Sequence, residues 1–294
     1  MKNKNNLAYI LLVLTTLFWS GNFIVGKAAS IYEIPPFSLN FYRWLFAGLI
    51  LLPFTLTEIL KKKNYILENL GFFIILGITS ITIFNSTVYY SLYYMQVISG
   101  VLMISTIPVW IMFISSILGI EKTNKFQILG VILSLLGVFF IITKSDIEVI
   151  KNLAFNRGDL IMLVACLMYS YYTLSLKTRL QIPGIAFFTL MSVIANFLAL
   201  PLFIIDYLLN GINYPSINGL IITMLVAIFP SSLAQIFYLR AVDIAGPGKA
   251  GIYTNIVPIF SSVLAVILLN QSFEIFHGIS LVLVLFGIWL SERQ

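Results

Sequence analysis

Apolar residues run nearly unbroken for about 18 to 22 positions at a time along this chain, and short polar connections separate the runs. Ten segments can be marked: 7–26, 36–56, 70–93, 97–119, 126–143, 159–176, 184–206, 217–240, 249–270 and 275–290. A helix of such length matches the hydrocarbon thickness of a bilayer. A membrane barrel would instead alternate apolar and polar residues in short strands. The longest polar connection, Thr143 to Asp159, divides the ten segments into two sets of five.

Segments four and nine share a layout. Ser99–Gly119 carries Pro108 and Gly248–Leu269 carries Pro258, at an offset of 150. The same offset aligns 1–144 with 151–294 without a gap, matching Ser20 with Ser170, Lys27 with Lys177, Phe126 with Phe276 and Gly137 with Gly287. Plain identity between the halves is low, so the coincidence of segment boundaries and special residues carries the match. Five spans per repeat make the second half cross the membrane in the opposite sense to the first. The expected fold is therefore an all-α integral membrane protein of ten transmembrane helices in two inverted five-helix repeats, 1–144 and 151–294, the architecture that many carriers use for alternating access.

Composition and charge sharpen this picture. Of 294 residues 60% are apolar and only 10% charged, with a mean hydropathy of +1.01. Soluble domains carry roughly 25% charged residues. The net charge of +6 resides mostly between segments, which points to topogenic charge and away from nucleic acid. One side of the bilayer collects Lys2, Lys4, Lys61, Lys62, Lys63, Lys122, Lys125, Lys177, Arg179, Arg240, Lys249 and Arg293. The other collects Lys27, Lys144, Lys151 and Arg157. The bias places both termini in the cytoplasm and the Thr143–Asp159 connection outside. Lys2 and Lys4 before an apolar run resemble a signal peptide, but the run continues to Val25 with no small-x-small cleavage pattern before Lys27. Segment one is expected to be retained.

Chemistry-bearing residues are sparse. Cys166 is the single cysteine and His277 the single histidine, so an internal disulfide and a histidine-cysteine metal cluster are excluded. No metal and no cofactor are expected. With no nucleotide loop and no serine–histidine pair inside a segment, an enzyme is not expected. All 11 acidic residues lie in connections or near segment ends, so no mid-segment carboxylate marks a proton carrier.

The polar residues inside segments are candidates to line a pathway. Pro108 and Pro258 should kink their helices as hinges and free the carbonyls of Ile104 and Thr254. Ser105 and Asn255, three residues before the prolines, can partner those groups, with Met103 and Tyr253 at the same level. Asn85 and Gln235 are carboxamides 150 apart; each either bonds to a neighbouring helix or lines a polar cavity. Helical spacing puts Asn85, Tyr89 and Gln96 on one face, and Ser231, Gln235 and Tyr238 on another. Trp19 with Asn22, and Tyr169 with Tyr172, form i, i+3 pairs in segments one and six. Arg43 is the one basic residue deep in a segment, about 7 residues and roughly 10 Å from Pro36. It either holds an anionic group of a substrate or snorkels outward to fix its helix. Its repeat counterpart is Val193. Gly130, Ser134 and Gly137 in segment five, with Ser280 and Gly287 in segment ten, form a small-residue stripe for packing or a homodimer contact.

These residues carry a family resemblance. FWSGNFIVGKA, EIPPFSLNFYRW, FNSTVYYSLYY and STIPVW, ending at Glu121, resemble the first half of an EamA-type carrier of the drug/metabolite transporter superfamily. GDLIMLVACLMYSYYTLSLK and GPGKAGIYTNIVPIFSSVLAVILL resemble the second half. The resemblance implies a central cavity lined by segments one, three, four, six, eight and nine, and export or exchange of amino acids or other small metabolites across a bacterial inner membrane. By position it points to Trp19, Asn22, Arg43, Asn85, Ser105, Tyr169, Tyr172, Gln235, Tyr253 and Asn255. Gln271 departs from it, since a glutamate is common there, as at Glu121. Two rival readings are a nucleotide-type or S-adenosylmethionine-type exchanger, for which more cavity cations would be expected, and a non-transporting scaffold or sensor.

Overall fold

A computed structural model describes residues 2–32, 34–119, 124–143, 146, 156–175, 182–210, 216–245, 253 and 256–291. Asn255, Thr254 and Glu121 lie outside them. The described residues are helical throughout the apolar segments and contain no strand. Seven helical stretches are long and apolar enough to cross a membrane: Asn6–Ile31, Pro36–Lys61, Leu70–Ser91, Val97–Ile117, Arg157–Ser175, Gly184–Leu209 and Ile217–Ile244. Segments five, nine and ten contribute the shorter apolar stretches Ile128–Phe140, Val257–Leu269 and Ile275–Gly287.

Many large apolar side chains cover the exterior, while polar ones within the spans are buried among the helices. Phe54, Phe197, Leu208, Ile217 and Ile275 are each more than 70% exposed, while Thr15, Ser20, Asn40, Arg43 and Asn85 are buried. A water-soluble protein would invert this arrangement. A bilayer solvates the apolar exterior and leaves polar groups to find partners inside.

The helix pairings follow a regular plan. Segment one packs on segments eight and nine, and segment six on segments three and four. Segment two meets the middle of segment eight, and segment seven the middle of segment three. Segments two and seven pack together, as do five and ten. Exchanging each segment for the one five places along the chain returns the same set of these main pairs, while four with five and four with ten have no such counterpart among the described residues.

Two local departures from α-helix also recur at the offset. Segment three runs Leu70–Gly77, then a π-helical stretch Ile78–Thr82, then Ile83–Ser91. Segment eight runs Ile217–Val226, the π-helical Ala227–Leu233, then Ala234–Ala245. In segment eight the stretch contains Pro230, and Ser231 and Ser232 hydroxyls donate to the carbonyls of Val226 and Ala227, five residues back. In segment three, Ser80 donates to Leu76 O at 2.6 Å.

The proline-bearing segments differ from expectation. Segment four is two helices, Val97–Ile104 and Ile107–Ile117, rather than one kinked helix. Pro108 lies in the first turn of the second, where its missing N–H costs nothing. Pro258 holds the same place in Val257–Leu269. Thr106 caps the break, since the amides of Val109 and Trp110 both bond its carbonyl. Ser105 bonds Val101 O at 2.8 Å within its own helix and does not serve the Ile104 carbonyl.

A matched pair of hydrogen bonds ties these breaks to the rest of the bundle. The Ser20 hydroxyl shares its proton between Thr16 O at 2.7 Å in its own helix and Val257 O at 3.1 Å, and the Ser170 hydroxyl between Cys166 O at 2.7 Å and Ile107 O at 3.3 Å. Each hydroxyl reaches the residue just before the proline of the segment it packs on. Replacing both with alanine is expected to lower the thermal midpoint in detergent, each bond being worth about 1 kcal/mol. An unchanged midpoint in the double variant would show that these contacts do not hold the breaks.

The small-residue stripe is used within the chain. A Cβ on Gly137 would lie 2.8 Å from Val284 Cγ2, and one on Gly287 only 2.3 Å from Ser134 Oγ and 2.6 Å from Gly130 O. The stripe lets segments five and ten approach each other closely, so it is not a free face for a second copy.

Candidate functional site

Arg43 organises the centre of the bundle. It is 5% exposed and does not snorkel. Its Nε donates to Ser231 Oγ at 2.6 Å, and its Nη1 donates to Asn85 Oδ1 at 3.0 Å and to Tyr89 Oη at 2.6 Å. Tyr89 in turn donates to Asn22 Oδ1 at 2.7 Å. Segments one, two, three and eight therefore meet in one polar cluster. The indole of Trp44 covers the guanidinium, with Cζ 4.6 Å from the ring centroid, a cation–π contact that favours buried arginine.

The π-helical stretches explain how the cluster forms. Each adds one residue to a turn and rotates the helix beyond it. Ser231 sits inside the stretch of segment eight, and Asn85 lies just past that of segment three, its Nδ2 donating back to Ser80 O and Ile81 O. Such insertions concentrate at functional sites because they re-aim side chains. Asn40, one turn before Arg43, holds segment three in place through Nδ2 bonds to Ser86 Oγ at 2.9 Å and to the carbonyls of Ile81 and Thr82. Sequence reasoning passed over Asn40 and Trp44. The signal for Asn40 was its i, i+3 spacing from Arg43.

Every partner of Arg43 is neutral. Among the described residues the only ion pair is Lys61–Glu58, on the surface. The Nη2 donors make no hydrogen bond among the described residues. A guanidinium buried without a carboxylate is an incomplete arrangement.

The segments that carry the cluster also pair aromatic rings with one another and with segment six. Trp19 tilts against Tyr238 with centroids 5.2 Å apart, and Tyr169 meets Phe84 at 4.6 Å and Tyr172 at 5.3 Å. Gln235 is half-buried and its carboxamide makes no hydrogen bond among the described residues. Asn85 thus takes the interhelical role and its counterpart Gln235 does not. Three expectations are not brought to Arg43. Gln96 is exposed at the start of Val97–Ile104. Tyr253 stacks on Tyr9 at 5.9 Å, and Tyr9 is 13 residues, about 20 Å of helix, from Asn22. Met103 is fully buried in an apolar core with Leu102, Ile98 and Met162.

One end of the bundle is fastened by polar contacts on the connection between segments three and four. Lys27 Nζ donates to Leu92 O at 2.6 Å and to Met95 O at 3.2 Å, and Asn156 Nδ2 to Tyr94 O at 2.6 Å. The Tyr93 hydroxyl donates to Ile34 O. Segment nine ends on Asn270 in the left-handed region (φ 50°), and the Gln271 amide closes the turn onto Ala265 O; asparagine tolerates this conformation. The turn brings Gln271 Oε1 to the Val97 amide at 3.1 Å. The His277 ring accepts from the Glu274 amide at Nδ1, which leaves Nε2 to donate to Ser99 Oγ at 3.1 Å. The departure at Gln271 therefore has a use: its neutral carboxamide caps the helix of segment four.

A polytopic helical bundle with an inward polar cluster and an apolar exterior defines a membrane carrier or channel-like protein. The chain belongs to the EamA-like transporter family, whose pattern it matches twice, over residues 6–143 and 156–293. It is a multi-pass membrane transporter, and this family membership points to a carrier rather than an enzyme. It is similar to an uncharacterised transporter of Clostridium kluyveri, 27% identical over 95% of this chain and 91% of that one. The uncharacterised transporter YyaM of Bacillus subtilis is 26% identical over 98% of this chain and 93% of its own, and an uncharacterised transporter of Archaeoglobus fulgidus 24% identical over 99% of each. A solved crystal structure superposes with a TM-score of 0.62 at 15% identity, covering 97% of this chain and 96% of that one, which shows a shared fold.

Proposed function

We propose that the chain is a secondary transporter of small organic metabolites, amino acids or related compounds, working by alternating access. In this reading ten spans form two inverted repeats, 1–144 and 151–294, with both termini in the cytoplasm of a bacterial cell and the chain in its inner membrane. The helix pairing carries the proposal: the most extensive pairings, one with eight and nine, six with three and four, two with eight, seven with three, two with seven and five with ten, map onto themselves when the halves are exchanged. The paired bonds from Ser20 and Ser170 and the paired π-helical stretches agree with it. Two similar halves with opposite sense can trade conformations, which opens the centre first to one side and then to the other.

The site of transport would be the cluster of Asn22, Arg43, Asn85, Tyr89 and Ser231, with Trp19, Tyr169, Tyr172 and Gln235 around it. The contacts from Lys27, Asn156, Gln271 and His277 lie at the end that the charge bias assigns to the outside. They support a state closed outward. Reconstitution in liposomes tests the function. Saturable uptake of at least one solute from a broad panel of amino acids and metabolites is expected. Failure to move any of them, in vesicles shown to hold folded protein, would favour a scaffold or sensor.

A further inference from the structure

We propose that the substrates are organic monocarboxylates, and that the carrier exchanges one such anion for another in preference to releasing it and returning empty. The proposal rests on the alternating-access reading and adds to it the charge of the cargo and the mode of coupling.

The cluster holds a positive charge with no negative partner among the described residues. Arg43 is 5% exposed, its hydrogen-bond partners are Ser231, Asn85 and Tyr89, and none carries a charge. Tyr89 gives its own proton to the bond with Asn22, so it stands as a neutral acceptor. No carboxylate among the described residues reaches the guanidinium. Its Nη2 keeps two donors unused, and the rings beside the guanidinium are those of Trp44 and Tyr89. A protein that buries a cation deep in a membrane normally supplies an anion or uses the charge. Here the charge is left for the cargo.

The charge is also single. The counterpart of Arg43 in the other repeat is Val193, whose Cγ2 faces Gly48 across the contact of segments two and seven. The site therefore offers one positive charge, which one carboxylate neutralises and a phosphate dianion would overshoot. Trp19, Tyr169 and Tyr238 supply apolar walls with polar tips for a carbon skeleton.

Exchange arises from the same unpaired charge. Alternating access passes through an occluded state sealed from water on both sides. With an anion bound, that state buries a neutral pair. Without one, it buries an unpaired guanidinium, which is far more costly. The empty carrier therefore reorients more slowly than the loaded one, by about tenfold or more.

Thermal unfolding of the purified chain in detergent tests the charge of the cargo. The probes are 2-oxo and 2-hydroxy acids of short chain length, each beside its uncharged amide. At least one acid is expected to raise the midpoint while its amide does not. The gain should vanish in Arg43→Gln and return in part in Arg43→Lys, which keeps the charge without the fork. Equal stabilisation by acid and amide, stabilisation that survives Arg43→Gln in folded protein, or no stabilisation by any of the acids would each overturn the proposal. Uptake of a stabilising acid into vesicles preloaded with the same acid should exceed uptake into empty vesicles about tenfold. Equal rates would overturn exchange. Saturable flux of neutral or cationic solutes without any anion flux would keep the transport reading and overturn this one. Anion binding that depends on Arg43, in a chain that moves no solute, would support the anion site while removing the transport reading.

Discussion

Asn85→Leu is expected to abolish transport and to lower stability by about 1.5 to 3 kcal/mol, the range for a hydrogen bond to a charged group. Asn85 Oδ1 accepts from Arg43 Nη1 at 3.0 Å, and its Nδ2 ties the helix to the carbonyls of Ser80 and Ile81. Leucine fills similar volume but offers no acceptor, so a buried guanidinium loses one of three fixed partners. Gln235→Leu makes the informative contrast. Its carboxamide bonds nothing among the described residues, so its removal should change stability by no more than about 0.5 kcal/mol while reducing flux. Midpoints in detergent and initial rates in liposomes separate the two effects. If both variants fold and transport at the parental rate, the central cluster has no part in the pathway.

Gly287→Val should destabilise the fold by about 3 kcal/mol, at the high end of overpacking. Even a Cβ there would sit 2.3 Å from Ser134 Oγ and 2.6 Å from the Gly130 carbonyl. The hydroxyl can rotate away, but the carbonyl belongs to helix backbone and cannot. Segments five and ten would have to separate along their common face. Gly21→Ala provides the control, because a Cβ at Gly21 meets nothing within 4 Å, and alanine is the better helix former. The expected outcome is a large fall in thermal midpoint for the first and none for the second. Equal midpoints would mean that the two helices do not depend on this contact.

Much of the site was legible one residue at a time, and little of it as a constellation. Arg43, Asn85, Tyr89 and Asn22 stand out because polar groups in apolar helices are costly and rarely idle. Their meeting was not legible. Helical spacing grouped Asn85 with Gln96, which the chain leaves exposed outside the helix. Symmetry grouped Asn85 with Gln235, of which only the first bonds Arg43. Two π-helical stretches shift the register by a residue in segments three and eight, and no apolar periodicity reveals such a shift. The prolines were found but their effect was misjudged. A proline is compatible with a kink or with a fresh helix start, and the capping by Thr106 decides for the start.

What the sequence determined by itself is the part set by the bilayer. A hydrocarbon layer demands apolar runs of fixed length and internally satisfied backbone, so apolar segments, their connections and the coincidence of special residues at an offset of 150 can be read along one dimension. Tertiary structure decided what depends on neighbours. Arg43 turned inward because segments three and eight bring it three neutral acceptors and Trp44 covers its face. The small-residue stripe met segment ten because Gly287 and Gly137 let two helices of one chain close together. A charge or a glycine has no fixed role until the surfaces around it are in place, and those surfaces come from residues far away in the chain.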